Sequence, residues 1–313
     1  GSPGRYPAAM VRPSFLTALF SLFLCLGLRA QVAAPPEPAA PTTAPLRIGV
    51  LGASVSDGFG CRLSENRADG VYQAQFRMAN ILPLVCGERP LQIEDLASSR
   101  MFMNPKQVGG DAAAAVRKAE PQCVIALDYL VWYCYGSHGK KDQPEQSEAA
   151  RLAVFEQGLA ELAKFEVPVV VGDIPDMSRA VGKMLHASQM PPLESIAAAN
   201  ARLVAWAKEQ PNVRVVPLSK MIRQLHDEKV VEVAGKRFAG PAEQPLLQQD
   251  DLHATTAGLA AIACVLVDEL AQAKPELGLP RGADPAAVIQ RAKASLVKKA
   301  APPAKGKPAD AGK

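Results

Sequence analysis

The chain has 313 residues, with 35 Lys and Arg against 31 Asp and Glu, a formal net charge of +4, and 48% hydrophobic residues. Much of the positive excess lies in a C-terminal Lys-rich run, so the charge makes no case for nucleic-acid binding. The 6 cysteines are scattered, with no Cys-x-x-Cys pair, which excludes a dense disulfide framework and a zinc site of the usual spacing.

In chain order, Met10 opens a leader-like pattern. Arg12 is followed by an apolar run, Phe15 to Leu28, and by the small residues Ala30, Ala33 and Ala34. The run is about 14 residues, short of the ~20 that span a bilayer. Residues 1–30 are therefore read as an N-terminal extension and signal peptide cleaved near Ala30. A secreted or periplasmic protein with no stable membrane span follows, and an uncleaved membrane anchor is the alternative. Residues 31–45 form a Pro/Ala linker that cannot bury a core. Residues 46–283 have the length of one well-buried domain. Residues 284–313 are expected to be helical and then a disordered basic tail.

Inside the domain, apolar runs alternate with helical spacing. Leu46–Gly52 reads as a strand and Asp69–Leu82 as a helix ending before Pro83. Leu91–Ala97 is a second strand, and Asp111–Glu120 a helix with Asp111 as N-cap, stopped by Pro121. Gln122–Asp128 is a third strand. Glu145–Glu166 places Leu152, Phe155, Leu159 and Leu162 on one helical face. Val167–Asp173 is a fourth strand, Leu193–Gln210 a helix spaced through Ile196, Leu203 and Trp206, and Asn212–Leu218 a fifth strand. Lys229–Phe238 reads as a hairpin turning at Ala234-Gly235, and Thr255–Ala273 as the closing helix. Strands apolar on both faces and separated by helices predict a three-layer α/β/α sandwich around a mostly parallel five-stranded sheet. Cys123 and Cys264 lie in apolar segments and read as core; a Cys61–Cys86 bridge is open to an oxidising compartment.

In such folds ligands bind at the carboxyl ends of the strands, which is where Ser54 lies, just past the first strand. A serine hydroxyl needs a base to become a nucleophile. His226 sits in a charged stretch and reads as solvated, while His138 and His186 have no neighbouring acid. His253 has Asp250 three residues before it, on a loop ahead of the last helix. That carboxylate can hold the imidazole Nδ1–H and leave Nε2 to face a serine. Asp251, two residues away, is expected to point elsewhere. The plainer alternative makes Ser54 a turn residue and Asp250 and His253 a helix cap and a buried pair.

"GASVSDGFG" resembles the first block of the SGNH/GDSL hydrolases, and "DDLH" their Asp-x-x-His block, at opposite ends of the domain as in that family. The resemblance implies a flavodoxin-like hydrolase fold and catalytic Ser54, Asp250 and His253. It also implies an acyl-enzyme mechanism without metal or cofactor, and a small-molecule, glycan or lipid ester as substrate. The chain departs from the family in three blocks. Ala53 stands where the first block usually has an aspartate that is no member of the triad. Ala126-Leu127-Asp128-Tyr129 stands where the third block has an oxyanion-binding asparagine, so Asp128 would serve only if protonated; a structural role, capping or hydrogen-bonding loop amides, is the alternative. Gly109 and Gly110 are the nearest candidates for the oxyanion glycine, joining the Ser54 N–H, with an ordinary helix entry the alternative. Tyr129, Trp132 and Tyr133 cluster beside the expected site as a substrate-pocket wall, with core packing the alternative. The divergence keeps open a catalytically weak SGNH-like domain that binds carbohydrate or envelope polymer. A metal-dependent hydrolase using Asp250, Asp251 and His253 would need further ligands that the sequence does not display.

Overall fold

In the computed structural model, residues 44–136, 144–242 and 245–298 are described. The predicted leader, linker, His138 and the end of the basic tail lie outside them. The chain enters through β1 (Leu46–Val50) and a hairpin of β2 (Arg62–Arg67) and β3 (Gly70–Gln75), followed by α1 (Met78–Cys86), β4 (Leu91–Asp95) and α2 (Pro105–Lys118). Next come β5 (Cys123–Ala126), α3 (Val131–Cys134), α4 (Pro144–Leu162), β6 (Val169–Gly172), α5 (Leu193–Glu209), β7 (Val213–Val216) and α6 (Leu218–Asp227). A second hairpin of β8 (Val231–Val233) and β9 (Lys236–Phe238), then α7 (Thr256–Ala273), α8 (Pro285–Ala294) and β10 (Val297–Lys298), complete the described fold.

Five strands form one wholly parallel sheet in the order β4-β1-β5-β6-β7, the flavodoxin-like 2-1-3-4-5 arrangement. Its strands are Val/Ile-rich because both faces are covered: β5 and β6 are buried at every position. On one face α1, α7 and α8 pack together over Ile48, Val50 and Ile125. On the other, α2, α3, α4 and α5 cover Val124, Ala126, Val169 and Val171. The α7 helix is long and apolar enough to cross a membrane, yet 78% of that stretch is buried as the central core helix of one layer. Thr255 caps it, accepting the Gly258 N–H at 3.2 Å. The order in which the chain adds strands reverses between β1 and β5, so the loops leaving those two strands diverge and open a crevice at their carboxyl ends.

Several local expectations are corrected. Asp69–Leu82 is not one helix: its first half is β3, paired antiparallel with β2 from Arg62↔Gln75 to Arg67↔Gly70, and only Met78 onward is helical. The β3 strand is also paired with β10, more than 200 residues later, a contact that no local pattern records. The α1 helix runs through Pro83 rather than stopping before it; proline forfeits one helical bond, but Ile81, Leu82, Val85 and Cys86 are buried around it. The α2 helix starts six residues before Asp111, with Asn104 as N-cap accepting the Gln107 N–H at 3.3 Å and Pro105 in the first turn. Leu152 lies at the margin of its stripe and is 47% exposed, whereas Phe155, Leu159 and Leu162 are buried. Cys61 and Cys86 are buried and unbridged, and burial pushes each thiol up to about 12. The 284–296 segment is no appendage: Val288, Ile289, Ala292 and Leu296 belong to the core beneath α1 and α7.

Candidate active site

The first half of the site is the turn after β1. Gly52 carries φ +156°, and a Cβ there would lie 2.3 Å from Asp128 Oδ1 and 2.4 Å from Ser56 Oγ, so only glycine allows the turn to close on Asp128. Asp128, at the exit of β5, is 3% exposed. It accepts the N–H groups of Ala53 at 3.0 Å, Val55 at 2.8 Å and Ser56 at 3.4 Å, and the Ser56 hydroxyl at 2.5 Å. Burial pushes its carboxyl above the usual carboxylate range, and these donors pull against that. The N–H of Ser54 alone in this run has no acceptor among the described residues.

The second half is the loop before α7. Leu247 and Ala254 bridge antiparallel, and Gln248 N–H donates to the His253 carbonyl at 2.8 Å, closing a tight loop. Asp251 sits at φ 56° in that turn, a conformation aspartate tolerates better than most residues. Asp250 Oδ1 accepts the N–H groups of Leu252 at 3.0 Å and His253 at 2.9 Å, and Oδ2 meets His253 Nδ1 at 2.7 Å. Burial alone would raise the Asp250 carboxyl, but the His253 backbone and ring and the Leu252 N–H together hold it below the usual range. An ionised acceptor there keeps the proton on Nδ1 and leaves Nε2 unprotonated in the neutral ring. Gln248 Nε2 ties the two halves together, donating to the Phe59 carbonyl at 2.6 Å and the Ala254 carbonyl at 2.7 Å. The Phe59 and His253 rings lie 4.5 Å apart.

Ser54 and His253 line one cavity of about 250 Å³ with Phe59, Phe102, Trp132 and Gln189. Among the described residues no hydrogen bond joins Ser54 Oγ to the imidazole; such bonds are often long before substrate arrives. A smaller cavity of about 30 Å³ adjoins Ser54, walled by Val131, Trp132, Ile222 and Leu252.

The other sequence-based assignments part company with this geometry. Both Asp128 carboxylate oxygens meet backbone N–H groups, which can only donate, so it is an acceptor that shapes the nucleophile loop and not an oxyanion donor. Gly109 and Gly110 lie inside α2, where N–H groups turn to the helix's own carbonyls. A Cβ on Gly109 would come within 2.4 Å of the Tyr133 hydroxyl, so this glycine serves helix packing. Tyr129 and Tyr133 are fully buried behind the site, with the Tyr129 hydroxyl donating to the Gly109 carbonyl and paired with Tyr133 at 2.9 Å; only Trp132 reaches the cavity. His226 is buried rather than solvated, its Nε2 2.9 Å from the Asp251 carbonyl, where it braces the histidine loop. Asp251 points away from His253, as expected, to an ion pair with Lys183. Among the described residues no cluster of His, Cys, Asp and Glu has the makings of a metal centre.

Replacing Asp128 by asparagine tests its assignment. Whichever way the new amide turns, its NH₂ replaces an oxygen that accepts a backbone N–H, leaving a buried donor unpaired at a cost of about 1–3 kcal/mol. Asp128→Asn is expected to lower the melting temperature and slow p-nitrophenyl acetate hydrolysis together. A variant as stable as wild type and equally or more active would return this residue to the oxyanion hole.

No protein-family model matches the chain, and no curated protein matches it in sequence. Solved structures similar to it include an acetylxylan esterase from Geobacillus stearothermophilus (14% identity, 72% of this chain and 94% of the other, TM-score 0.43). A family 3 carbohydrate esterase from Clostridium thermocellum is similar at 15% identity over 75% of this chain and 99% of the other, TM-score 0.43. A gut microbial diltiazem-metabolizing enzyme is similar at 12% identity and TM-score 0.46, and the match spans 72% of this chain and about half, 46%, of that one. The likeness is one of architecture, the parallel sheet between helical layers; the chemistry has to be read from the side chains.

Proposed function

We propose that the protein is a serine hydrolase of SGNH/GDSL type that cleaves carboxylic esters. The observation that carries this is the Asp250–His253 pair, 2.7 Å apart, on a loop that lines one cavity with Ser54. His253 Nε2 takes the Ser54 proton as Oγ adds to the ester carbonyl. It then returns that proton to the departing alcohol as the carbonyl re-forms. Water, deprotonated in turn by His253, releases the acid from Ser54. Asp250 orients the ring and stabilises the imidazolium while staying ionised itself.

The two cavities divide the substrate. The cavity of about 30 Å³ beside Ser54 is small and walled by Val131, Ile222 and Leu252, and suits a short acyl chain. The larger cavity, with Phe59, Phe102 and Trp132 on its walls, suits an apolar or ring-shaped alcohol. The N-terminal leader pattern adds to the proposal a site of action outside the cytoplasm. A p-nitrophenyl ester series on wild type and Ser54→Ala tests the reading. Wild type is expected to turn over acetate at least tenfold faster than octanoate, and Ser54→Ala to turn over neither. Equal acetate hydrolysis by both proteins would refute it, and a wild type inert on all esters would favour a polymer-binding domain.

A further inference from the structure

An oxyanion hole commonly combines two or more donors, and the nucleophile loop offers one, the Ser54 N–H. Asp128 is spent as an acceptor and Gly109 and Gly110 are inside α2. The residues leaving β4 offer no replacement. Ala97 N–H donates to Asp95, Ser98 N–H to the Gly52 carbonyl and Ser99 N–H to Asp57 at 2.8 Å, and the Ser99 hydroxyl also donates to Asp57.

A loop following β6 brings Gln189 to the same cavity. Its backbone is fixed at both ends, N–H to the His186 carbonyl at 2.9 Å and carbonyl to the Gly136 N–H at 2.8 Å. Its side chain is fixed as well, because Oε1 accepts the His186 N–H at 2.8 Å. A backbone N–H can only donate, so that contact settles which end of the amide is oxygen and which is nitrogen. Nε2 is left with no acceptor among the described residues, on a side chain that lines the cavity with Ser54 and His253. The loop is itself held to the histidine loop by the Lys183–Asp251 ion pair.

We infer that Gln189 Nε2–H is the second oxyanion donor, a side-chain amide taking the place that Asp128 cannot fill. The inference rests on the serine-hydrolase reading above. When Ser54 Oγ bonds to the carbonyl carbon, the C=O π pair moves onto oxygen and the hydroxyl proton onto His253 Nε2. The oxyanion then receives both the Ser54 N–H and Gln189 Nε2–H. Because an amide does not ionise, this hole works at any pH at which His253 is unprotonated. The Trp132 indole is the other unpartnered side-chain N–H on the cavity, but it stands in an aromatic group with Phe102 and Tyr135 that forms the wall.

Gln189→Glu is the decisive variant, because its carboxylate can still accept the His186 N–H and keep the loop in place while removing the donor. Gln189→Ala removes both. Losing one oxyanion donor typically costs roughly 10²–10³ in turnover. Both variants are expected to lose that much in kcat with KM changed less than threefold, and to lose affinity for an aryl trifluoromethyl ketone, which forms a tetrahedral adduct on serine, by a similar factor. In Gln189→Glu the optimum should also move to lower pH, where the acid is protonated and can donate again. Trp132→Phe keeps an aromatic wall and removes the indole N–H, which tests the rival donor. Wild-type kcat and ketone affinity in Gln189→Glu would overturn the assignment, as would a hundredfold kcat loss in Trp132→Phe with none in Gln189→Glu. A fluorophosphonate probe separates the two levels: if wild-type Ser54 is not labelled, the serine-hydrolase reading fails and takes this one with it. If Ser54 is labelled and Gln189→Glu is labelled just as fast, the donor assignment fails alone.

Discussion

Ser54→Ala and His253→Ala are each expected to lower kcat by roughly 10⁶, and the double variant by no more than a few-fold beyond either, because nucleophile and base act as one unit. In the proposed mechanism the alcohol oxygen of Ser54 attacks only as its proton leaves for His253, which lines the same cavity; removing either would leave the other nothing to do. What persists should be the ~10³–10⁴ over water that the remaining donors and binding supply. Fluorophosphonate labelling gives a second readout, in which the serine oxygen bonds to phosphorus, fluoride leaves and the proton passes to the imidazole. Wild type should label, Ser54→Ala not at all and His253→Ala very slowly. Losses that multiply in the double variant would mean two independent groups, and labelling that survives Ser54→Ala would place the nucleophile elsewhere.

Asp250→Asn is expected to lower kcat by roughly 10⁴ with little change in stability. Asn Oδ1 can keep the Leu252 and His253 N–H bonds that Asp250 Oδ1 makes now, so the loop should hold. The amide NH₂ then faces Nδ1, which must become an acceptor, and the ring proton moves to Nε2. An imidazole protonated at Nε2 cannot take the Ser54 proton. The pH dependence follows from the depressed Asp250 carboxyl. A carboxylate whose folded value lies below its unfolded one contributes fully above the unfolded value, about 3.9. That contribution is lost only as pH falls through the lower folded value. An acid limb of wild-type kcat/KM lying above about pH 3.9 should therefore not come from Asp250. A stably folded Asp250→Asn enzyme within tenfold of wild-type kcat would show that the carboxylate is a loop cap and no part of the chemistry.

The parts of the site legible in the sequence were those whose signal is local. Asp250 and His253 stand three residues apart, a spacing at which a carboxylate reaches the imidazole across one turn, and Ser54 follows an apolar run that stops at Gly52. The sheet was equally readable, since β5 and β6 are short runs buried on both faces and α5 and α7 carry unbroken apolar spacing. Asp128 was found, but the sequence left its role open between an oxyanion donor and an acceptor of loop amides. A residue type and a strand end say nothing about which groups will face it, and here three N–H groups from a loop 72–75 residues away do. Gly109 failed for a similar reason: whether a glycine opens a loop or seats a tyrosine depends on what packs there.

From the sequence by itself came the five strands of the parallel sheet in chain order, most of the helices that cover them, and the candidate nucleophile, base and orienting acid. Hydrophobic periodicity and short-range spacing determine those directly. Tertiary structure alone decided that Leu63 on β2 is buried beside Cys61 in the core under a hairpin and that β10 returns to pair with β3. It also decided that His226 braces the histidine loop and that Gln189 reaches the cavity of Ser54 across 135 residues of chain. Each of these joins groups far apart in sequence, and such contacts exist only once the backbone has closed. A donor, an acceptor or a wall is defined by its neighbours in space, and the chain does not write those neighbours side by side.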